Sequence, residues 1–282
     1  MKRTINKIIK SQKQEIMPGR FINAPLPSDE ADKISPFILL HHFGPFEINY
    51  LNSFSFEAHP HRGFDAVTFL FEGEIQHRDS TGGYGRLKPG DVQWMTAGSG
   101  ILHEESQPKD FLETGGLIHG IQLWVNLPKA NKMTHPKYQD VQNEDIPVLK
   151  NIGVKERVIA GNYKGMTGPA KTFTPITAVH GILSKGGKTK IEVPADFNAC
   201  IYLTKGVVKI DDKTADYADL VLFNNNGTEF EAEAIEDSEF LLLAGKPIDE
   251  PVVQYGPFVM SSMGEIKQAF LDYREGKFGN IN

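Results

Sequence analysis

Residues 64–106 read FDAVTFLFEGEIQHRDSTGGYGRLKPGDVQWMTAGSGILHEES. Short runs rich in β-branched and aromatic residues, such as AVTFLF at 66–71 and VQWMTA at 92–97, alternate with turn sequences that contain glycine or proline. Many short strands at such close spacing are typical of a β-sandwich or barrel. The stretch therefore predicts an all-β domain.

A similar arrangement returns in the second half of the chain. Each half contains a strand, a tight glycine turn and another strand, in TFLFEGEIQH at 68–77 and in CIYLTKGVVKI at 200–210. In each half an aspartate followed directly by an apolar residue comes next, in PGDVQWM at 89–95 and in YADLVLF at 217–223. This repetition predicts two copies of one β-barrel unit.

The C-terminal segment differs from both halves. Ser262 precedes Glu265 by three residues, which is a capping-box pattern at the start of a helix. Apolar residues follow at the i, i+3, i+4 and i+7 spacing of a helix, namely Ile266, Ala269, Phe270 and Tyr273. This pattern predicts an amphipathic helix that packs against a barrel.

These patterns together divide the chain into four predicted parts. Residues 131–151 are polar and weakly periodic, which indicates a linker. We therefore predict an N-terminal barrel at 1–130, the linker at 131–151, a second barrel at 152–261, and a helix with a tail at 262–282.

The composition excludes several classes of function. With 30 basic and 36 acidic residues the formal net charge is −6, so we expect no direct binding of nucleic acid through a basic field. No apolar run reaches the roughly 20 residues that span a bilayer, so we expect no membrane contact. The single cysteine, Cys200, excludes an internal disulfide and a thiolate metal cluster, and the basic N-terminus does not read as a secretory signal. We expect a cytoplasmic monomer.

Two pairs of polar residues are spaced as metal ligands. His59 and His61 alternate in EAHPHRGFD at 57–65, and His103 and Glu105 alternate in GSGILHEES at 98–106. Alternate side chains of a strand share a face, so each pair can point at one ion. Three imidazoles and one carboxylate suit Fe(II), Mn, Ni, Cu or Zn rather than Mg or Ca.

Either pair alone is more often an ordinary surface pair on a strand. The distribution of histidines favours the metal interpretation, because eight of the nine precede residue 136 and His180 is the remaining one. The second barrel is therefore expected to lack a metal site.

Five segments closely resemble the pirin family of the cupin superfamily. They are HPHRGF at 59–64, KPGD at 88–91, VQWMTAGSGILHEE at 92–105, IQLWVNLP at 121–128 and YGPFVM at 255–260, and the resemblance runs almost from end to end. It implies an all-β bicupin, with two jelly-roll cupin domains and a C-terminal α-helix. It also implies one iron-type site in the N-terminal barrel, with His59, His61, His103 and Glu105 as ligands.

The resemblance further implies a quercetin 2,3-dioxygenase-like activity, which opens the central ring of a flavonol with O₂ and releases carbon monoxide. Glu105 would be both a ligand and the general base. The metal would be Fe(II), with Mn, Co, Ni, Cu and Zn as alternatives. Other pirins resemble non-enzymatic, iron-binding and redox-sensitive regulators of a transcription factor or metabolic enzyme, and that role, with a protein partner, is the alternative.

Other residues have two interpretations. Asp65 lies next to the position of the usual cupin acid, Ala66, and is not predicted as a ligand. His77 either lines the cavity and orients a metal ligand, or is an ordinary hydrogen-bonded strand histidine. Some residues either wall a substrate pocket or simply fill the core, namely Phe56, Phe64, Phe69, Trp94, Gln122 and Trp124.

Overall fold

The structure is a computed structural model that describes residues 1–53 and 55–281. Within those residues the chain is mostly β. The strands, in chain order, are β1 Ile5–Lys10, β2 Gln12–Met17, β3 Arg20–Leu26, β4 Phe37–Ile48, β5 Phe56–His61, β6 Phe64–Glu72, β7 Ile75–Asp79, β8 Tyr84–Leu87, β9 Val92–Thr96, β10 Ile101–Ser106, β11 Gly116–Asn126, β12 Lys137–Val141, β13 Val148–Asn151, β14 Val154–Ala160, β15 Asn162–Tyr163, β16 Met166–Thr167, β17 Ile176–Leu183, β18 Lys188–Glu192, β19 Asn198–Lys205, β20 Val208–Ile210, β21 Lys213–Ala215, β22 Asp219–Phe223, β23 Glu229–Ala234, β24 Ser238–Gly245, β25 Val253–Tyr255 and β26 Phe258–Met260. The helices are α1 Lys109–Thr114 and α2 Met263–Arg274, with 3-10 turns at Lys129–Asn131 and Asn143–Asp145.

The chain forms two compact units, and each combines a central segment with one end of the chain. The 43–143 unit contains Phe43–Asn143 and Ile248–Asn282, and the 144–247 unit contains Glu144–Pro247 and Met1–His42. The start of the chain joins the 144–247 unit because β1 pairs with β22 in an antiparallel ladder. The predicted domains follow sequence order instead, and their boundaries at 130 and 152 stay a prediction.

The 43–143 unit is built from two sheets. One has the strand order β12–β9–β6–β11–β4, with β4 entering from Phe43 onward, and the other has the order β5–β10–β7–β8. Apolar side chains from strands of both sheets form one cluster, made of Ile48, Leu70, Ile75, Leu87 and Ile118. Residues 137–141 lie within the predicted linker. In the structure they form strand β12, which pairs with β9 in this sheet.

The 144–247 unit has the same two-sheet plan. Its larger sheet has the order β1–β22–β19–β24–β17–β14–β13, and its smaller sheet has the order β18–β23–β20–β21. Val158, Ile201 and Leu242 of the larger sheet pack in one cluster with Ile191 and Phe230 of the smaller sheet. Apolar side chains therefore form the core of this unit.

The predicted C-terminal helix is confirmed as α2. Ser262 is its N-cap, and the Glu265 backbone N–H donates to the Ser262 hydroxyl oxygen at 3.2 Å. Buried Ile266 and Ala269 pack on β26 and Phe278 within the 43–143 unit. The helix therefore covers one apolar flank of that unit.

Candidate metal centre

Two neighbouring strands of the smaller sheet, β5 and β10, carry the predicted ligands, and β7 lies on the other side of β10. In the β5–β10 ladder His59 lies opposite His103, and the register shifts between His103 and Glu105. On the other side of β10, His103 lies opposite Asp79 and Glu105 lies opposite His77. Because His103 and Glu105 alternate on the buried face of β10, the sheet directs both toward the interior.

The side chains form two overlapping groups that share His103. The ring centroids of His59 and His61 lie 4.2 Å and 4.9 Å from that of His103. One ligand atom from each of these three imidazoles lies within 4.8 Å of the other two. In the second group, ligand atoms of His77, His103 and Glu105 also lie within 4.8 Å of one another.

Most of the cluster is buried. His103 is 0% exposed, His61 is 5% exposed and Glu105 is 7% exposed, whereas His59 is only half-buried. Burial holds the pKa of His103 well below its ordinary value, and burial together with the neighbouring His59 lowers the pKa of His61 to about 3. Both rings are therefore neutral at physiological pH and offer a lone pair to a cation.

The environment of His103 suits a metal ligand. Among residues 1–53 and 55–281, neither of its ring nitrogens has a hydrogen-bond partner. A buried polar group without a partner costs about 1–3 kcal/mol, so a ring placed in this way needs another partner. Three imidazoles with a carboxylate nearby fit a first-row divalent transition metal.

His59 and His61 of β5 are each held in place through Nδ1 of the ring. Nδ1 of His59 lies 2.8 Å from the backbone oxygen of Glu57, and Nδ1 of His61 lies 3.3 Å from that of Pro257. Since a carbonyl oxygen can only accept, each Nδ1 carries a proton, and in the neutral ring the lone pair therefore lies on Nε2. Metal-binding histidines are oriented in the same way.

Glu105 is held at one oxygen. The Gln93 side-chain amide donates to Glu105 Oε1 at 2.8 Å, and the Tyr138 hydroxyl donates to Gln93 Oε1 at 3.3 Å. Sequence reasoning missed both supporting residues, because neither lies near a ligand motif. Their role depends on the register between β9 and β12, which places Tyr138 opposite Met95, two residues along β9 from Gln93 and on the same face of the strand.

Aromatic rings flank the cluster. Phe64 stacks on Trp124 with centroids 4.2 Å apart, and their centroids lie 5.0 Å and 5.3 Å from that of His61. Phe56 is 39% exposed and lies beside His59, with centroids 6.5 Å apart. The side of the cluster toward His59 is therefore its solvent-facing side. The other predicted wall residues are Phe69 and Trp94, which are buried, and Gln122, which is half-buried.

Asp65 has a structural environment. It is 1% exposed, and the Trp94 indole N–H donates to its Oδ2 at 2.9 Å. Burial raises the pKa of Asp65 to about 6 despite that hydrogen bond. It belongs to neither group of candidate ligands.

Comparison with known proteins identifies the family. Residues 19–125 match the pirin family, and residues 178–279 match the pirin C-terminal cupin domain. The chain is 43% identical over 252 residues to a Pseudomonas aeruginosa protein named "Putative quercetin 2,3-dioxygenase PA2418", covering 87% of each. It is 37% identical over 275 residues to pirin of Homo sapiens, covering 95% of this chain and 91% of that protein.

Solved structures agree with these matches. A crystal structure of quercetin 2,3-dioxygenase from Acinetobacter baumannii has a TM-score of 0.93 at 39% identity, and the match covers 99% of both chains. In the described part of this chain, no helix is long and apolar enough to cross a membrane. The predicted bicupin fold and the resemblance seen in the sequence are confirmed. The chain belongs to the pirin family.

Proposed function

We propose that this protein is a metal-dependent dioxygenase that opens the central ring of a flavonol. In this proposal His59, His61, His103 and Glu105 hold Fe(II), and Glu105 also acts as the general base. One observation carries the proposal, namely the buried His103 ring, which lacks hydrogen-bond partners among the described residues and lies between two imidazoles and a carboxylate. The names of the P. aeruginosa and A. baumannii relatives support the choice of substrate.

The donor set limits the metal to a few ions. Neutral imidazoles with one carboxylate bind Fe(II), Mn, Co, Ni, Cu and Zn, and a redox-active ion in this shell would polarise a substrate oxygen and support chemistry with O₂. Iron is the ion that we expect in the cell.

Each protein group has a defined task in this reaction. Glu105 would accept the proton of the flavonol hydroxyl, and Gln93 keeps the carboxylate oriented by holding one of its oxygens. Trp124, which is 8% exposed and is held by stacking on the buried Phe64, would contact the flat rings of the flavonol next to His61. The solvent-facing side at Phe56 and His59 would admit the substrate.

The test combines metal analysis with an oxygen-electrode assay. Protein purified without added metal is assayed with a panel of flavonols, and carbon monoxide is measured as the second product. Glu105→Gln keeps an oxygen at the ligand position, and when it is assayed at a metal concentration that loads it fully it should lose about 10²–10⁴-fold in turnover, the usual contribution of a general base. Glu104→Gln, a change at the neighbouring position on the other face of β10, is the matched control and should keep full activity. No oxygen uptake with Fe, Mn, Co, Ni or Cu would refute the proposal.

A regulatory role is the second candidate. Its support is a series of contacts that runs from the cluster to the surface. Arg62, which follows His61 in the chain, donates to the buried Asp272 of α2 at 2.8 Å, and the exposed Lys277 donates to the other oxygen of Asp272 at 2.8 Å. A change of charge at the ion would alter this segment, and a protein partner could read the change. Capture of one partner by the Fe(III) form and not by the Fe(II) form, without flavonol turnover, would favour this candidate. Cytoplasmic location and a monomeric state stay predictions under both candidates.

A further inference from the structure

His77 has the environment of a metal ligand although the proposed site does not use it. It is 0% exposed, and its Nε2 lies 3.1 Å from Asp79 Oδ2. The other oxygen of Asp79 accepts from the Thr81 backbone N–H at 2.8 Å, the Thr81 hydroxyl at 2.6 Å and the Gly83 backbone N–H at 3.0 Å. These donors hold the carboxylate in place, so His77 donates its Nε2 proton to Asp79, and in the neutral ring the lone pair lies on Nδ1.

That lone pair has no protein partner. Within the described ranges, His77 Nδ1 is buried and accepts no hydrogen bond. A ligand histidine commonly donates its second nitrogen to a carboxylate, as His77 does to Asp79. The Tyr138 ring stacks on His77 with centroids 4.6 Å apart and an interplanar angle of 16°, which fixes the orientation of the imidazole.

A single ion between His59, His61 and His103 does not satisfy all of these atoms. It engages one nitrogen of His103 and leaves the other nitrogen of that ring, together with His77 Nδ1, without a partner in the described structure. A carboxylate oxygen of Glu105 lies within 4.8 Å of a ring nitrogen of both His77 and His103, and the Gln93 amide donates to its Oε1.

We propose that His77, His103 and Glu105 form a second, inner metal position that shares His103 with the outer position of His59 and His61. Two imidazoles and one carboxylate are the donor set of many non-haem iron sites and also suit Co, Mn and Zn. Because the two positions share a ligand, one divalent transition ion distributes between them. This inference concerns metal binding alone and does not depend on flavonol chemistry.

The test removes the outer ligands and measures Co(II) binding. The double variant His59→Gln/His61→Gln is dialysed against buffered Co(II), and bound metal is measured by elemental analysis and by competition with a chromophoric chelator. We expect it to retain one Co(II) per chain. Adding Asp79→Asn should weaken the retained affinity about 10–100-fold, the usual effect of losing a carboxylate behind a ligand histidine. Adding His77→Gln should weaken it by at least as much.

The controls separate the inner position from adventitious binding and from misfolding. His135 is exposed, so adding His135→Gln to the double variant should leave Co(II) binding unchanged. Alanine versions of the double and triple variants, checked by circular dichroism and thermal unfolding, repeat the comparison with different side chains. Equal Co(II) binding by the double variant and by the variant that also lacks His77 would overturn the proposal, and so would its absence in both.

Discussion

The Asp65 carboxyl gives a quantitative prediction about stability. Burial raises its pKa in the folded protein from an ordinary 3.8 to about 6. In the folded protein this group holds its proton more tightly than in the unfolded chain, so its charge costs stability as the pH rises from about 4 to about 6. At 1.36 kcal/mol for each pH unit between the two pKa values, the full cost is about 3 kcal/mol, and it persists at higher pH.

Asp65→Asn removes the charge and keeps an oxygen that can accept from the Trp94 indole. We therefore expect the variant to be more stable than the native chain by about 3 kcal/mol at pH 8, and by less than about 1 kcal/mol at pH 4. Urea unfolding of metal-free protein in the presence of a chelator, followed by tryptophan fluorescence, measures the difference at each pH. The chelator matters because a cation nearby would stabilise the charged carboxylate.

The refuting result is also specific. If the stability difference between the two proteins does not change between pH 4 and pH 8, then the pKa of Asp65 is the same in the folded protein as in the unfolded chain, and its burial does not act as inferred. Asp65→Ala is a useful control, because it removes the charge and also leaves the Trp94 N–H without its acceptor. It should therefore be less stable than Asp65→Asn at every pH, by about 1–3 kcal/mol.

Three further predictions concern the surroundings of the cluster. His103→Gln should weaken the binding of Co(II) more than about 100-fold in a chelator competition, since losing even a supporting group costs about 10–100-fold; unchanged affinity would contradict its place in both groups of ligands. Asp272→Asn should lower the free energy of unfolding at pH 7 by about 1.5–3 kcal/mol, because the buried Arg62 loses its charged partner. An unchanged midpoint of urea unfolding would refute this prediction. Gly63→Ala should destabilise by more than about 2 kcal/mol, since φ at Gly63 is +86° and a Cβ would collide with the Val259 backbone oxygen; a thermal midpoint equal to that of the native chain would count against this.

The sequence was most informative where function depends on neighbours along one strand. The alternation of His59 with His61, and of His103 with Glu105, was visible because residues i and i+2 of a strand share a face. The pairing of β5 with β10 was not visible, yet it is this pairing that places His59 opposite His103. The family resemblance supplied the missing contact between the two motifs.

The environment of His77 shows the limit of such reasoning. From the sequence, His77 was equally a supporting residue and an ordinary strand histidine. The environment of His77 depends on two contacts. Strand β7 pairs with β10, which places His77 opposite Glu105, and β12 places the Tyr138 ring over the His77 ring. Both are contacts between segments far apart in sequence, and no spacing within QHRD could reveal them.

Residues from the end of the chain belong to the 43–143 unit and contact the segment 61–63. The Pro257 backbone oxygen lies beside the His61 ring, and the Val259 N–H donates to the Arg62 backbone oxygen at 3.0 Å. The buried ammonium of Lys132 donates to the backbone oxygens of Gly63 and Val259, both at 2.9 Å, and so joins the two segments next to a predicted ligand. Because each of these contacts orients the segment 61–63, a chain that ended before residue 255 would retain every predicted ligand and still lose the support of one of them. Such a truncation should therefore bind Co(II) more weakly than the full chain, and equal affinity would show that β5 alone is enough to orient His61.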